Sequence, residues 1–152
     1  MYKIVEKKVL NPTVIQLWIE APLVANKAKP GQFIILRVDE DGERIPLTVA
    51  GVNKDNGTVK IIFQVVGGTT KKLSYKEAGE YIQDFVGPLG IASELEGLKK
   101  VCIVGGGVGC AISMPIDYLD GYEFVYPTGI SGLTKFDFDS FKNFKFFILK
   151  LN

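Results

Sequence analysis

Turn signals divide residues 1–90 into short segments, and this punctuation limits the fold more than any other feature. Asn11-Pro12, Lys29-Pro30-Gly31, the acidic run Asp39–Glu43, Asn53–Gly57 with its Asn56-Gly57 pair, and Gly87-Pro88-Leu89-Gly90 each break the chain. Between them, Tyr2–Leu10, Thr13–Glu20, Gln32–Val38, Arg44–Val52, Thr58–Val66 and Tyr81–Val86 alternate or run apolar, as strands do. Pro46 interrupts the fourth of these early. One short helix is expected over Thr69–Lys76, after Gly67-Gly68. Six short strands with regular turns predict a mainly β fold, a six-stranded antiparallel barrel. Its expected core includes Ile4, Val14, Leu17, Phe33, Ile35, Val49, Ile61, Phe63, Val65 and Val86.

The pattern then changes. Val101-Cys102-Ile103-Val104 is apolar without alternation, as in a strand of a parallel sheet buried on both faces. Gly105-Gly106-Gly107-Val108-Gly109 follows directly, and Cys110–Leu119 has the length of a helix, although Pro115 falls inside it. From about residue 121 the composition shifts again. Seven of the ten phenylalanines lie here: Phe124, Phe136, Phe138, Phe141, Phe144, Phe146 and Phe147. This tail reads either as one or two further strands on the βα unit or as a stretch where the natural sequence has been lost. The domain expectation is a barrel over 1–97 and an incomplete α/β nucleotide-binding unit over 98–152.

Composition removes whole classes of chemistry. The chain has 152 residues and no histidine, so mechanisms that need an imidazole base are excluded. Two cysteines form neither a disulfide scaffold nor a usual zinc site. Eighteen basic and 17 acidic residues leave a net charge of +1, without the basic footprint of a nucleic-acid or membrane binder. Arg37 and Arg44 are the only arginines. The charged N-terminus is unlike a signal peptide, and no run reaches the roughly 18 apolar residues of a membrane span. The expectation is a soluble cytoplasmic protein.

Three segments could carry a cofactor. Arg44-Ile45-Pro46-Leu47-Thr48-Val49-Ala50 puts a cation and a hydroxyl on one strand, which also fits a plain edge strand starting near a proline. Gly67-Gly68 precede the expected helix, which opens with Thr69-Thr70-Lys71. Unpaired N–H groups at a helix N-terminus favour an anion, while Thr69 as a simple N-cap is the structural alternative. Gly105, Gly106, Gly107 and Gly109 follow a buried strand, where glycine lets the backbone approach a pyrophosphate. They do not spell G-x-G-x-x-G or a P-loop. Asp120 and Glu123 are the acidic residues within the expected range.

The order of these segments resembles the ferredoxin-reductase-like flavoprotein superfamily. Within it, the likeness is to the electron-transfer subunit of dihydroorotate dehydrogenase and the small FAD subunit of ferredoxin–NADP reductase, also known as a sulfide dehydrogenase subunit. Pro30-Gly31-Gln32-Phe33, Arg44–Thr48, Gly67–Leu73, Gly87–Gly90 and Gly105–Gly109 match in order, over residues 1 to about 116. The resemblance implies FAD on Arg44, Pro46, Leu47, Thr48, Ala50, Gly67, Gly68, Thr69 and Thr70, with Thr48 near the reactive edge of the ring. It implies NAD(P) on Gly105, Gly106, Gly107 and Gly109, and no catalytic side chain or metal ligand. In the usual motif the arginine stands three residues before the hydroxyl. That position is Ile45 here, and a shift of one residue on a strand turns a side chain to the other face.

Relatives continue past this point with the rest of a nicotinamide domain and a cysteine-rich [2Fe–2S] segment. Cys102 and Cys110 cannot supply four cluster ligands, so no cluster is expected in this chain. The implied function is an FAD-binding electron-transfer subunit in truncated form, inactive alone. It would pass electrons between a nicotinamide cofactor or iron–sulfur partner and a larger catalytic oxidoreductase subunit. The alternative is a barrel fragment or interaction module that binds no flavin. The clustered phenylalanines add an expectation of self-association.

Overall fold

The computed structural model describes residues 1–94 and, as strand backbones, 100–105, 123–125 and 145–149. In chain order the elements are β1 (Tyr2–Asn11), β2 (Val14–Glu20), α1 (Pro22–Ala25), β3 (Phe33–Arg37), β4 (Arg44–Asn53), β5 (Thr58–Gln64), α2 (Gly68–Tyr75), β6 (Tyr81–Ile82) and β7 (Asp84–Leu89). They are followed by β8 (Lys100–Gly105), β9 (Glu123–Val125) and β10 (Lys145–Leu149).

Strands β1 to β7 form one antiparallel sheet of seven strands, in the order β6-β1-β2-β5-β4-β3-β7. The sequence reading has six strands, with Tyr81–Val86 as the last. The structure divides that segment at Gln83 and extends it to Leu89. Tyr81 and Ile82 pair with Lys3 and Tyr2 at one end of the sheet, while Asp84–Leu89 pairs with β3 at the other. The Gln83 N–H lies 3.0 Å from the Arg37 carbonyl and 3.2 Å from that of Val38. One segment thus serves both ends of the sheet, which rolls into a nearly closed barrel.

Buried side chains from all seven strands fill the interior: Ile4, Ile15, Leu17, Ile19, Ile34, Leu36, Val49, Val59, Ile61, Phe63, Ile82 and Phe85. Five of the expected core residues lie there, namely Ile4, Leu17, Val49, Ile61 and Phe63. The face of β3 differs from expectation. Ile34 and Leu36 are fully buried, and Phe33 and Ile35 are half-buried on the outside. Phe33-Ile34-Ile35-Leu36 has no alternation, so its sequence does not say which pair points inward. On β7, Phe85 is buried while Val86 is 53% exposed. Val14 and Val65 are half-buried. The sequence reading has no counterpart to α1, although Pro22 at its start is a common opening for a helix.

Pro46 does not end β4. Residues 44–48 pair with β3, from Arg37↔Arg44 to Phe33↔Thr48, whereas pairing with β5 covers Val49↔Ile61 to Asn53↔Thr58. Pro46 therefore sits where β4 has a partner on one side only, a setting that tolerates its missing N–H. The handover falls at a register shift between Val49 and Gly51. A bulge of this kind bends a strand and re-aims its side chains.

Strand β8 lies between β10 and β9 in a second sheet, parallel to both. The parallel setting expected for Val101–Val104 is present. The helix expected over Cys110–Leu119 lies outside the described residues, as does most of the phenylalanine-rich tail. Glu123–Val125 and Lys145–Leu149 of that tail are strands.

Candidate functional site

The site begins where β4 separates from β5. Before Val49, β5 continues along β2 alone, with Val14↔Gln64 the last pair, and β4 continues along β3. The first half of β4 is thus open on its β5 side. The chain leaving β5 turns through Val65–Gly67 into α2, and two contacts tie that helix to the β3–β4 hairpin. Thr69 Oγ1 donates to Glu43 Oε2 at 3.1 Å, and Lys72 Nζ donates to Asp39 Oδ2 at 3.1 Å. Leu73, fully buried, anchors α2 in the barrel.

The N-terminus of α2 has a definite hydrogen-bond arrangement. Thr70 Oγ1 accepts from the N–H groups of Val66 and Gly67, each at 3.0 Å, and donates to the Gly67 carbonyl at 3.0 Å. The Lys71 N–H closes the first turn onto the Gly67 carbonyl at 2.9 Å. The N–H groups of Gly68, Thr69 and Thr70 have no acceptor within the helix, as at any helix start. The cap is Thr70 acting backwards from the third helical position, not Thr69, whose hydroxyl goes to Glu43. A Cβ added to Gly67 or Gly68 would meet nothing within 4 Å. The backbone here is open to a close approach.

On β4, Arg44 and Pro46 are exposed and Thr48 is half-buried. Ile45 and Leu47 pack against the core from the other face. Arg44 therefore shares its face with Thr48, four residues away, and it is Ile45 that points inward. Leu47 also points inward, and Ala50 is 2% exposed at the bulge. Neither Leu47 nor Ala50 presents an exposed side chain to a ligand. Residues 44–48 and 67–70 come together through the Thr69–Glu43 contact. Gly105 ends β8, and Gly106, Gly107 and Gly109 lie outside the described residues. With β9 and β10 on opposite sides of β8, the strand order reverses at that end of β8, where open α/β sheets bind their ligands.

Three charged residues of this region are absent from the sequence reading of the site. Asp84 Oδ2 lies 2.7 Å from Arg37 Nε and 3.3 Å from Arg44 NH2, and Glu43 accepts from Thr69. Asp84 is a lone carboxylate in a short apolar segment, which was the available signal. Its partners depend on register, which one sequence does not reveal. Among the described residues, no group of three or more His, Cys, Asp or Glu could hold a metal ion. Among them also, no helix is long and apolar enough to cross a membrane.

No family model matches the chain. It is 52% identical over 122 residues to an uncharacterized protein from the adh 3′ region of Clostridium beijerinckii, over 76% of this chain and 41% of that one. It is 47% identical over 114 residues to a Thermotoga maritima homolog of the dihydroorotate dehydrogenase B (NAD(+)) electron transfer subunit, covering 75% and 40% respectively. The chain thus spans about two fifths of the length of these curated relatives. A solved NADH-dependent reduced ferredoxin-NADP oxidoreductase, described for flavin-based electron bifurcation, superposes with a TM-score of 0.79 at 37% identity, over 97% of this chain and 56% of that one. Phthalate dioxygenase reductase shares the fold alone, with a TM-score of 0.73 at 14% identity over 97% and 59% of the two chains.

Proposed function

Because the chain belongs to the ferredoxin-reductase-like flavoprotein superfamily, we propose that residues 1–97 bind FAD and serve electron transfer to a larger catalytic oxidoreductase subunit. The observation that carries this reading is the opening between β4 and β5 opposite the start of α2. To it we assign Arg44, Pro46, Thr48, Gly67, Gly68, Thr69 and Thr70, all of them expected from the sequence, on two segments linked by the Thr69–Glu43 contact. The chemistry of the gap suits a flavin dinucleotide. Unpaired N–H groups of Gly68, Thr69 and Thr70 suit a diphosphate, as helix starts do. Arg44 adds a guanidinium with the geometry for phosphate oxygens. The one-sided stretch of β4 leaves backbone groups to hydrogen-bond the polar edge of a ring, with the Thr48 hydroxyl beside them.

Bound FAD would supply the electron chemistry, and the protein would supply binding and orientation. No acid or base is required of the chain, in keeping with its lack of histidine. Residues 98–152 are proposed as a nicotinamide-binding unit around β8, with Gly105, Gly106, Gly107 and Gly109 at the phosphates. Dihydroorotate and ferredoxin systems are the two partner classes that the relatives suggest.

Titrating the protein into FAD and into riboflavin, and following flavin fluorescence, tests the reading. Saturable binding that is much tighter for FAD supports it. Equal or absent binding of the two supports the alternative, a barrel that serves as an interaction module without flavin.

A further inference from the structure

Arg44 is not free. It lies directly opposite Arg37 across β3 and β4, and like charges in that relation repel. Asp84, opposite Arg37 on β7, holds the row together with a single oxygen. The two halves of this row are unequal. Arg37 is the fixed member. Its side chain is 21% exposed, its Nε is 2.7 Å from Asp84, and its NH1 donates to the Glu40 carbonyl at 2.8 Å. Arg44 is the loose member, with a side chain 61% exposed and a single contact of 3.3 Å.

We infer that Asp84 is a positioning residue that tempers the affinity of the cofactor site for anions, holding Arg44 in a weak, exchangeable pair that a diphosphate displaces while the Arg37–Asp84 pair stays. The inference rests on the FAD reading above and adds a residue to it. Asp84 lies on a different strand, so it acts through Arg44 without touching the cofactor. Its charge offsets one of the two guanidiniums, lowering the pull of the site on anions in general. A ligand with two phosphates feels this offset, and a ligand with none does not.

Affinities for FAD and riboflavin, measured at several salt concentrations for the full chain, test this. Asp84→Asn is expected to bind FAD about two- to fivefold tighter, the range of a part-exposed ion pair. Its salt dependence should be steeper and its riboflavin affinity unchanged. Arg44→Gln should weaken FAD binding about tenfold or more, and adding it to Asp84→Asn should erase the gain. Should Asp84→Asn fail to fold, Arg37→Gln with Asp84→Asn leaves no guanidinium stranded in the half-buried position. That double variant should bind FAD more tightly than Arg37→Gln alone. Unchanged or weaker FAD binding in the Asp84 variants overturns the inference while leaving the FAD reading intact. Absence of FAD binding by the unaltered chain overturns both.

Discussion

Thr69 Oγ1 donates to Glu43 Oε2 across 3.1 Å, fastening the start of α2 to the residue that precedes β4. This contact brings two segments more than 20 residues apart in the sequence to one place. Neither is specific alone, since a strand with a proline and a helix with a threonine near its start are common. Together they bring the start of α2 and the first half of β4 to one place.

The open backbone at Gly68 gives a test that separates structure from function. Nothing lies within 4 Å of a Cβ built there, and its backbone has no left-handed φ. Gly68→Ala is therefore expected to keep or raise stability, by about 0.4–1 kcal/mol, through the unfolded chain. If a phosphate lies against this backbone, the same methyl group blocks it. FAD affinity should then fall roughly tenfold or more. Thermal unfolding together with a flavin titration reads both effects, and unchanged affinity would remove the phosphate from this end of α2.

Thr48→Ala should leave the fold intact. The residue is half-buried on the outward face of β4 and contributes nothing to the interior. Loss of its hydroxyl should cost about 0.5–1.5 kcal/mol of flavin binding, one net hydrogen bond. The reduction potential of bound flavin should move as well, because a hydrogen bond near the ring edge does not favour both redox states equally. An unaltered affinity and potential would show that Thr48 is not at the ring.

Leu73→Ala should act through position. Leu73 is the only buried residue of α2. Its truncation is expected to cost about 2–5 kcal/mol. The loosened helix should also bind FAD poorly, even below the unfolding temperature. Retained affinity in a destabilised but folded variant would mean that α2 does not form the site.

Much of the barrel was legible because its turns are chemically marked and several strands are β-branched. Four details were not. The Phe33–Leu36 run lacks the alternation that would orient it. The division at Gln83 arises from closure of the sheet, a tertiary event without a local signal. Pro46 read as an interruption because the one-sided pairing of β4 at that point is invisible locally. Helix α1 is four residues long, too short for a period. At the site, the shift of the arginine from position 45 to 44 predicted a change of face. That change implied that the arginine reaches the phosphates only if Pro46 kinks the strand; in the structure Arg44 is exposed on the face of Thr48 and pairs with Asp84. The roles of Glu43 and Asp84 needed register and proximity, which composition and spacing do not hold.

The barrel should also stand without the second unit. All its buried residues lie between Ile4 and Phe85, and the segment that follows is tied back by two bonds. Gln32 Nε2 donates to the Gly90 carbonyl at 2.9 Å, and the Ser93 N–H to that of Pro30 at 2.8 Å. A chain ending at Glu94 is expected to unfold cooperatively, with the circular dichroism of a β protein. A chain of that length without a cooperative transition would count against an independent barrel.

The most direct test of the central claim is the absorption spectrum of the protein after incubation with excess FAD and removal of free flavin by gel filtration. The flavin band should travel with the protein at one FAD per chain, and it should be much reduced in Arg44→Gln with Gly68→Ala. A colourless, folded protein with all the flavin in the free fraction would contradict the claim.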